Sequence, residues 1–233
     1  MGFVDDEARQ GDCRSKQEQD EQAASGQKQA FPCEHAEHLF ARDGYHATSL
    51  RCITARAGVN LAAVNYHFGG KEALLEAVIL RRLTPLNATR QGLLDRLLEE
   101  AERSGVQPSC REILRAFVEP TLRLREKGAE AEDFLALVGR TLAEPRGVAM
   151  TIFMRHMAPL MQCLFVALTR SLPNLSEQDV FWRLHLTVGS LSHIMRCHER
   201  YAMVPENVSI AAPVSELVDV FLDFATAGME VNA

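Results

Sequence analysis

The chain has 233 residues, of which 47% are hydrophobic, and it carries a formal net charge of −6 at pH 7. This length and apolar content suffice to bury a substantial core, in one large domain or in two smaller ones. We expect a soluble, cytoplasmic protein, because no apolar run approaches the roughly 20 residues of a membrane span and the N-terminus is too polar for a signal peptide. Six cysteines without a CxxC pair argue against a disulfide framework or a structural zinc site.

The charge is unevenly distributed along the chain. Residues 1–30 contain 4 basic and 7 acidic side chains, residues 31–82 contain 6 and 5, and residues 83–233 contain 15 and 19. Only the middle segment is not acidic, which is a modest indication of a polyanionic partner there. Residues 1–29 lack the apolar content that would offset their ordering entropy, so we predict a disordered tail.

The first predicted helix lies between about residue 32 and residue 44. Pro32 is tolerated only in a first turn, so this helix should begin near Phe31 or Pro32 and be short. Gly44 should close it, because glycine readily adopts the left-handed conformation that ends many helices.

Two further short helices follow, joined by a glycine turn. Thr48 and Ser49 can each cap the first of them, and Gly58 supplies the positive φ that ends it. Asn60 can cap the second. The apolar positions follow the helical period and would form the inner faces of the two helices: Leu50, Ile53, Thr54 and Ala57, then Leu61, Val64 and Phe68. A first helix, a glycine turn and a second helix are typical of a helix-turn-helix motif.

The outer face of the second of these helices carries small and polar side chains. Small residues let a helix backbone approach base edges in the major groove, and Asn65 suits a paired hydrogen bond with adenine. Lys71 begins the next helix, where its charge opposes the helix dipole unless a phosphate lies nearby. The predicted DNA-binding residues are Ala62, Ala63 and Asn65 near base edges, Thr48, Tyr66, His67 and Lys71 on phosphates, and Asn60 and Leu61 at the helix start. Alternatively, Tyr66 and His67 do not contact DNA and only close the helical core.

Residues 36–78, AEHLFARDGYHATSLRCITARAGVNLAAVNYHFGGKEALLEAV, resemble the DNA-binding domain of the tetracycline-repressor (TetR) family. The resemblance implies an all-α homodimer: a three-helix helix-turn-helix domain, residues 30–75, binds double-stranded operator DNA, and a helical bundle, residues 76–233, binds a small-molecule effector and dimerises. The segments LVGRTLAEPRG and DVFWRLHLTVGSL resemble the fatty-acid-responsive members. They imply a repressor that a fatty acid or acyl thioester releases from a palindromic operator.

The chain departs from the family pattern at two places. Many members have a tyrosine at the position of Asn65, whereas here the aromatic residue is Tyr66. Which of the two contacts bases and which contacts phosphates is therefore open. The start of the first helix also lacks the aliphatic face and the preceding basic residue that are usual in the family, so we expect weaker phosphate anchoring at that edge.

From Lys71 onward the pattern predicts helices only. Pro85 should interrupt or kink the first of them, and Ser109 should cap the next, which ends near Arg125. Further helices are predicted at about 131–143, 147–171, 176–201 and 213–227. The last two carry more apolar surface than one face needs. The family resemblance implies that they form a four-helix dimer interface, and the alternative is internal packing alone.

Several methionine and aromatic side chains on the C-terminal helices are candidates for an effector pocket, because methionine adapts to varied apolar ligands. Plain core packing is the alternative for most of them. Arg140 could bind an anionic group of the ligand, or it could pair with Glu144 one turn later. The predicted effector-binding residues are Phe117, Phe134, Leu137, Arg140, Phe153, Met157, Met161 and His185.

The alternative function is a regulator that senses another signal: a drug-like ligand, a metal or a redox change. A metal sensor would use His193, Cys197 and His198, and a redox sensor would use Cys52, Cys163 or Cys197. A helical scaffold that binds only protein is a further alternative. We expect no metal, no cofactor and no enzymatic activity, because the chain lacks a Gly-rich phosphate loop, G-x-S-x-G and HExxH.

Overall fold

A computed structural model describes residues 33–144, 146–196 and 213–231. Every regular element in these ranges is helical, which confirms the all-α prediction. The tail predicted at residues 1–29 lies outside the described residues. The elements are α1 (33–47), α2 (Leu50–Ala57), α3 (Leu61–Phe68), α4 (Lys71–Ser104), α5 (Cys110–Leu122), a 3₁₀ turn (Arg123–Lys127), α6 (Ala129–Ala143), α7 (Val148–Ser171), α8 (Glu177–Arg196) and α9 (Val214–Glu230).

Helices α2 and α3 begin and end where the sequence predicts. The Ser49 hydroxyl accepts a hydrogen bond of 3.1 Å from the Cys52 amide at the start of α2. Gly58 ends that helix with φ 64°. The Asn60 side-chain oxygen then accepts from the Ala62 amide at 2.8 Å and caps α3. These local caps set the angle at which α3 leaves α2.

The end of α1 is held by contacts with the following loop and with α6. Gly44 has φ 82°, so the helix turns sharply there. The buried Thr48 hydroxyl lies 3.2 Å from the Leu39 carbonyl oxygen and 2.8 Å from that of Gly44. Arg140 of α6 donates to the Arg42 carbonyl at 3.0 Å. This turn is therefore fixed from both sides.

The longest helix, α4, has 34 residues and passes through the boundary predicted at residue 75. Pro85 lies within it and does not interrupt it. The proline costs roughly 3 kcal/mol or more in a helix interior, so packing on both sides of it must outweigh that cost. The two parts of the protein consequently share one continuous helix, whose buried side chains are Leu74, Leu75, Val78, Ile79, Leu83, Leu86, Arg90, Leu94 and Ala101.

An ion-pair cluster joins α1 to α4. The Glu37 carboxylate is 2% exposed and bonds to the Arg81 guanidinium, with Arg82 at 3.7 Å. Arg81 also lies 3.1 Å from Glu34. Burial raises the pKa of Glu37, and the hydrogen bond with Arg81 opposes that shift. Removing one partner would leave a buried charge uncompensated, which typically costs several kcal/mol.

The remaining helices form a bundle around the second half of α4. Helix α5 packs against α4, α7 and α9, while α6 packs against α8, and α8 against α9. Ser109 and Glu112 form a reciprocal capping box at the start of α5, as Ser109 was expected to do. The predicted helix at about 176–201 is confirmed as far as residue 196, beyond which the chain is not described.

Helix α7, by length and composition alone, resembles a membrane span. Its inner side packs against α4, α5, α6 and α8, and its outer side carries polar residues. A helix with this pattern is a core helix of a bundle, so we do not assign a span. The residues on its two sides are Ile152, Phe153, Met157, Leu160, Leu164, Ala167 and Leu168 inside, and Arg155, Gln162 and Arg170 outside.

We expect Gly44→Ala to lower the free energy of unfolding more than Gly105→Ala does. Both glycines have positive φ, 82° and 71°, which costs a non-glycine residue roughly 1–2 kcal/mol. Only at Gly44 would the new Cβ also meet Arg140, at 3.1 Å, and disturb its bond to Arg42. That bond adds about 0.5–1.5 kcal/mol. Urea unfolding measures both variants, and equal losses would contradict a tight contact between α1 and α6.

Candidate nucleic-acid interface

The outer face of α3 is open to solvent. Ala62, Ala63, Asn65 and His67 are exposed, and Tyr66 is 87% exposed. The rings of Tyr66 and His67 meet edge to face at 5.5 Å. Since both side chains point outward, they do not close the helical core, and the alternative interpretation is wrong. Five of the predicted DNA-binding residues thus share one accessible surface.

The other residues predicted on α3 and before it behave differently. Asn60 is exposed, but its side-chain oxygen is engaged as the cap of α3. Leu61 is half-buried. Thr48 is 2% exposed and its hydroxyl serves the end of α1, so the phosphate contact predicted for it is wrong. Ser49, not Thr48, caps α2.

Two cations on α2 belong to the same surface, and the sequence reasoning missed them. Arg51 and Arg56 are exposed, on the side of α2 opposite the buried Ile53 and Ala57. The helical period that identified the inner face also places both arginines outside. Their position could therefore have been predicted.

Residues 44–71, which we call the acid-free segment, contain no aspartate or glutamate. Their charged side chains are Arg51, Arg56 and Lys71, and His46 and His67 add charge when protonated. The acidic side chains of α1 are already paired with basic groups away from this surface, as shown by the contacts of Glu34 and Glu37 with Arg81 and of Asp43 with Arg42. A chain that is acidic overall therefore presents a locally positive surface, of the kind that attracts a polyanion.

Lys71 lies at the edge of this surface, at the start of α4. Its ammonium sits 4.2 Å from the centre of the Tyr45 ring, and burial lowers its pKa. Gly70 provides no side-chain cap for α4, so the first N–H groups of the helix have no side-chain acceptor at that position. A helix start with free amides beside an ammonium favours an anionic ligand.

Helix α6 connects this three-helix head (α1–α3) to the bundle. His38 of α1 lies 2.9 Å from the Asp133 carboxylate of α6. Arg140 donates to the Arg42 carbonyl, and it lines a small cavity together with Leu137 and Glu144. The two roles predicted for Arg140, binding a ligand anion and pairing with Glu144, stay predictions.

Helix α7 makes a second connection. The His156 ring nitrogen Nε2 lies 2.9 Å from the Glu76 carboxylate of α4, and the Arg155 guanidinium lies 3.3 Å from it. The hydrogen bond with His156 is the main reason why the pKa of Glu76 is lowered. Asn87 also donates to the His156 carbonyl at 3.2 Å. A displacement of α7 would therefore also displace α4, unless these contacts broke.

The residues predicted to bind an effector are spread over several cavities of the described chain: Phe117 lines one, Leu137 and Arg140 line another, and His185 lines a third. His185 is exposed on α8, where it stacks on Phe181 at 6.1 Å, so it is separate from the rest. His185 lies on a side of α8 that faces away from the core, and helical spacing alone did not reveal which side that is. The others, apart from Arg140, are packed in the core: Phe117, Phe134, Leu137, Phe153 and Met157 are buried and Met161 is half-buried.

Arg90 is a buried cation that the sequence reasoning did not single out. It is 5% exposed and lies between α4, α5 and α7, in contact with Phe117 and Met157. It follows Leu83 and Leu86 and precedes Leu94 on the buried stripe of α4. A charged residue on an apolar stripe was the available sequence clue.

Helices α8 and α9 present a large apolar surface to solvent, which we call the α8–α9 face: Phe181, Trp182, Leu186, Val220 and Phe224, each more than half exposed. An open groove of about 670 Å³ runs along it. The acidic residues Asp219 and Asp223 of α9 instead pair with Arg115 and Arg111 of α5, at 2.7 and 2.5 Å. Two of the acidic residues of α9 are thus drawn away from the face.

The described residues include only some of the candidates for a metal or redox sensor. No group of three or more His, Cys, Asp or Glu side chains there is placed to hold a metal ion. Cys197 and His198 lie outside the described residues. Burial raises the pKa of Cys33 to about 11 and that of Cys110 to about 12, so neither thiol is reactive. Cys52 and Cys163 are exposed and far apart in sequence.

Two family models match most of the described chain. The model for bacterial regulatory proteins of the tetR family matches residues 34–78, and the tetracyclin repressor-like C-terminal domain matches residues 115–228. The chain belongs to the TetR family. The proteins that it resembles are transcription regulators and not enzymes.

Relatives of this TetR-family chain agree with the assignment. It is 37% identical over 65 residues to the HTH-type transcriptional regulator BetI of Vibrio campbellii and of Vibrio parahaemolyticus. That match covers 28% of this chain and only 33% of each BetI.

Solved structures match over a longer stretch. The ketosteroid transcriptional regulator KstR2 of Mycobacterium tuberculosis has a TM-score of 0.59 at 15% identity, covering 86% of this chain and 94% of KstR2. The TetR-family regulator PfmR of Thermus thermophilus has a TM-score of 0.55 at 22% identity, covering 86% and 99%. The fatty acid degradation regulator FadR of Bacillus halodurans has a TM-score of 0.54 at 14% identity, covering 85% and 98%. At these identities the likeness shows the fold.

We expect Glu76→Gln to lower the free energy of unfolding by an amount that depends on pH. Because the folded state lowers the pKa of Glu76 below its ordinary 4.5, its stabilisation is complete above that value and is lost as pH falls through the lowered pKa. The loss of unfolding free energy should be below about 1 kcal/mol at neutral pH.

The measurement is urea unfolding of the wild type and Glu76→Gln at about pH 6 and about pH 3, where the difference between the two proteins should shrink towards zero. Glu100→Gln, at the exposed Glu100–Arg103 pair of the same helix, is the control and should cost little at either pH. A Glu76→Gln penalty that is independent of pH would contradict a role for the carboxylate charge.

Proposed function

We propose that this chain is a DNA-binding transcription regulator that places α3 in the major groove of double-stranded DNA. The observation that carries the proposal is the acid-free segment with its exposed α3 face, on a chain whose net charge is −6. Phosphate neutralisation drives DNA affinity, and the surface suited to it is the one that also presents a helix-turn-helix.

The side chains divide naturally between bases and phosphates. Asn65 can donate to and accept from adenine, and Ala62 and Ala63 can contact thymine methyl groups. Arg51, Arg56, Lys71 and Tyr66 border this strip and would contact the sugar-phosphate backbone, as would His67. Backbone contacts position the helix and the base contacts select the sequence.

We propose further that two copies associate through the α8–α9 face. Contiguous exposed apolar patches on a soluble chain mark interaction sites, and this one is built from two adjacent helices. Asp219 and Asp223 of α9 are turned towards α5. A twofold pairing of these helices would form a four-helix interface, as the family resemblance implies. Gly189 and Ser190 line the groove and would let the partner helices approach closely.

The remaining part of the proposal is repression relieved by a small, hydrophobic effector such as a fatty acid or an acyl thioester, in the cytoplasm. The apolar class rests on the buried phenylalanine and methionine side chains of the bundle. An effector that binds one spacing of the two heads more tightly than another lowers DNA affinity by that difference. The contacts of Asp133 with His38 and of His156 with Glu76 would carry the movement to the head.

We expect Arg56→Ala and Tyr66→Ala to weaken operator binding without unfolding the protein, because both side chains are exposed. The test is a mobility-shift titration, at several salt concentrations, with the DNA upstream of the chain's own gene. Loss of one phosphate contact should reduce the slope of log affinity against log salt by about 1 for Arg56→Ala. Arg103→Ala, at the far end of α4, is the control. Unchanged affinity of both head variants would refute the assignment.

We expect Phe224→Asp to convert a dimer into a monomer, because its 66%-exposed ring lies in the proposed interface and a buried, unpaired charge there would cost several kcal/mol. Sedimentation equilibrium gives the mass directly. Val166→Asp is the matched control, since Val166 is a 48%-exposed valine on α7, outside the face. If Phe224→Asp remained dimeric, another surface would have to be the interface.

A further inference from the structure

Arg90 places a full positive charge inside the bundle, and none of the described side chains that contact it carries a negative charge. Its Nε donates to the Phe117 carbonyl at 3.1 Å, and its terminal nitrogens donate to the Asn87 side-chain oxygen at 3.0 Å and to the Thr121 hydroxyl, and approach the Met157 sulfur at 3.8 Å. Every one of these partners is neutral. The guanidinium is thus hydrogen-bonded but not electrically compensated.

Arg81, a half-buried arginine of the same helix, contrasts with Arg90 because it has acidic partners. Burial lowers the pKa of Arg81, but the carboxylates of Glu37 and Glu34 more than reverse that effect and leave the pKa raised. Burial alone shifts the pKa of Arg90, to about 9, and no acidic group of the described chain opposes that shift. At neutral pH Arg90 therefore remains cationic and bears a desolvation cost that proteins normally relieve with a counter-charge.

The aromatic contact does not replace a counter-charge. The guanidinium carbon lies 4.3 Å from the centre of the Phe117 ring. A cation–π contact recovers only part of the free-energy cost of burying an ion. A single anion placed against the fork would restore the balance and gain two parallel charge-assisted hydrogen bonds.

The surroundings of Arg90 suit the apolar body of such an anion. The gap next to Arg90 lies between α4, α5 and α7 and is too small to admit a water molecule. A ligand can therefore enter only if these three helices move apart. The side chains around the gap are Leu94, Ile113, Ala116, Phe117, Leu160 and Leu164.

We propose that Arg90 binds the acidic group of the effector, which makes the effector an organic monoanion, a carboxylate with an apolar body. This inference rests on the proposed function, because it assumes that the chain responds to an effector. It selects a free carboxylate over a neutral lipid, and over a thioester, which has no charge at its carbonyl.

The site couples ligand entry to the DNA-binding head through α4. Arg90 is on α4. The Thr121 hydroxyl and the Phe117 carbonyl that accept its hydrogen bonds are on α5, and Met157 is on α7. An entering carboxylate would take over donors that now hold α4 to α5. The two helices would then separate, and α4 carries the head at its other end.

The test measures ligand binding on the full chain by thermal shift and by isothermal titration. The probes are hexanoate, octanoate, decanoate and 4-phenylbutyrate, each paired with its methyl ester. We expect at least one carboxylate to bind about tenfold or more tightly than its ester, the ratio that one charge-assisted pair supplies. Binding of no carboxylate, or equal binding of acid and ester, would overturn the proposal.

The variant Arg90→Met tests the residue itself. Replacing an uncompensated buried charge by an apolar side chain is often neutral or stabilising, so this protein should fold, and its preference for acid over ester should disappear. Arg90→Lys keeps the charge without the fork, so it should bind the carboxylate more weakly than the wild type but keep the preference; it decides the matter if Arg90→Met does not fold. Arg96→Met, an exposed change on the same helix, should behave as the wild type. Preference that survives in Arg90→Met would overturn the proposal.

Failure of this inference can be told apart from failure of the proposed function. Mobility shifts without any probe report DNA binding alone, and calorimetry without DNA reports anion binding alone. DNA binding with no carboxylate binding removes Arg90 from the effector site and leaves the regulator intact. Carboxylate binding with no DNA complex would refute the proposed function and leave Arg90 as an anion-binding residue.

Discussion

A single helix, α4, contributes to the core of both the three-helix head and the bundle, within one continuous hydrophobic cluster, and the rest of the molecule depends on this constraint. Its first turns bury Leu74, Leu75 and Val78 beneath the three-helix head, while Leu86 and Leu94 lie in the bundle. Between the two, the Glu37 and Arg81 ion pair fixes the head to the helix. Pro85 is tolerated because both ends are held. The head therefore cannot change its direction without a movement of α4 or α6, to which it is bonded. Helix α7 is bonded in turn to α4, through His156 and Glu76.

Two positive charges of α4, on Lys71 and Arg90, lie at the positions where DNA and the effector are proposed to bind. Lys71 stands at its start beside the acid-free segment, and Arg90 lies 19 residues further on, in the bundle. At 1.5 Å per residue the two positions are about 28 Å apart, so a ligand at one and a phosphate at the other can communicate only through the helix and its packing. The ordinary hydrogen bonds of Arg90 to α5 are then the contacts that an anion would exchange.

Local sequence rules predicted the helix-turn-helix well, because its ends are decided by caps one to three residues away, as at Ser49, Gly58 and Asn60. They failed where a distant element supplies the partner. Thr48 was expected outside but bonds to the end of α1. For Arg140 the expected partner was a ligand anion or Glu144, and the hydrogen bond that the structure shows goes to the Arg42 carbonyl of α1. Periodicity could have identified Arg51 and Arg56 on the outer face of α2, and it could have drawn attention to Arg90. It could not show that no carboxylate of the described chain reaches Arg90, since that is a property of three packed helices.

The central claim is that two such heads, joined at their bundles, read DNA together. Nuclease footprinting of the purified chain on the DNA upstream of its own gene tests this claim most directly. Recognition helices that enter successive major grooves must lie about 34 to 36 Å apart, so two protected half-sites should be centred about 10 base pairs from each other on one face of the duplex. A footprint with a single half-site, or no protection at any salt concentration, would contradict the account.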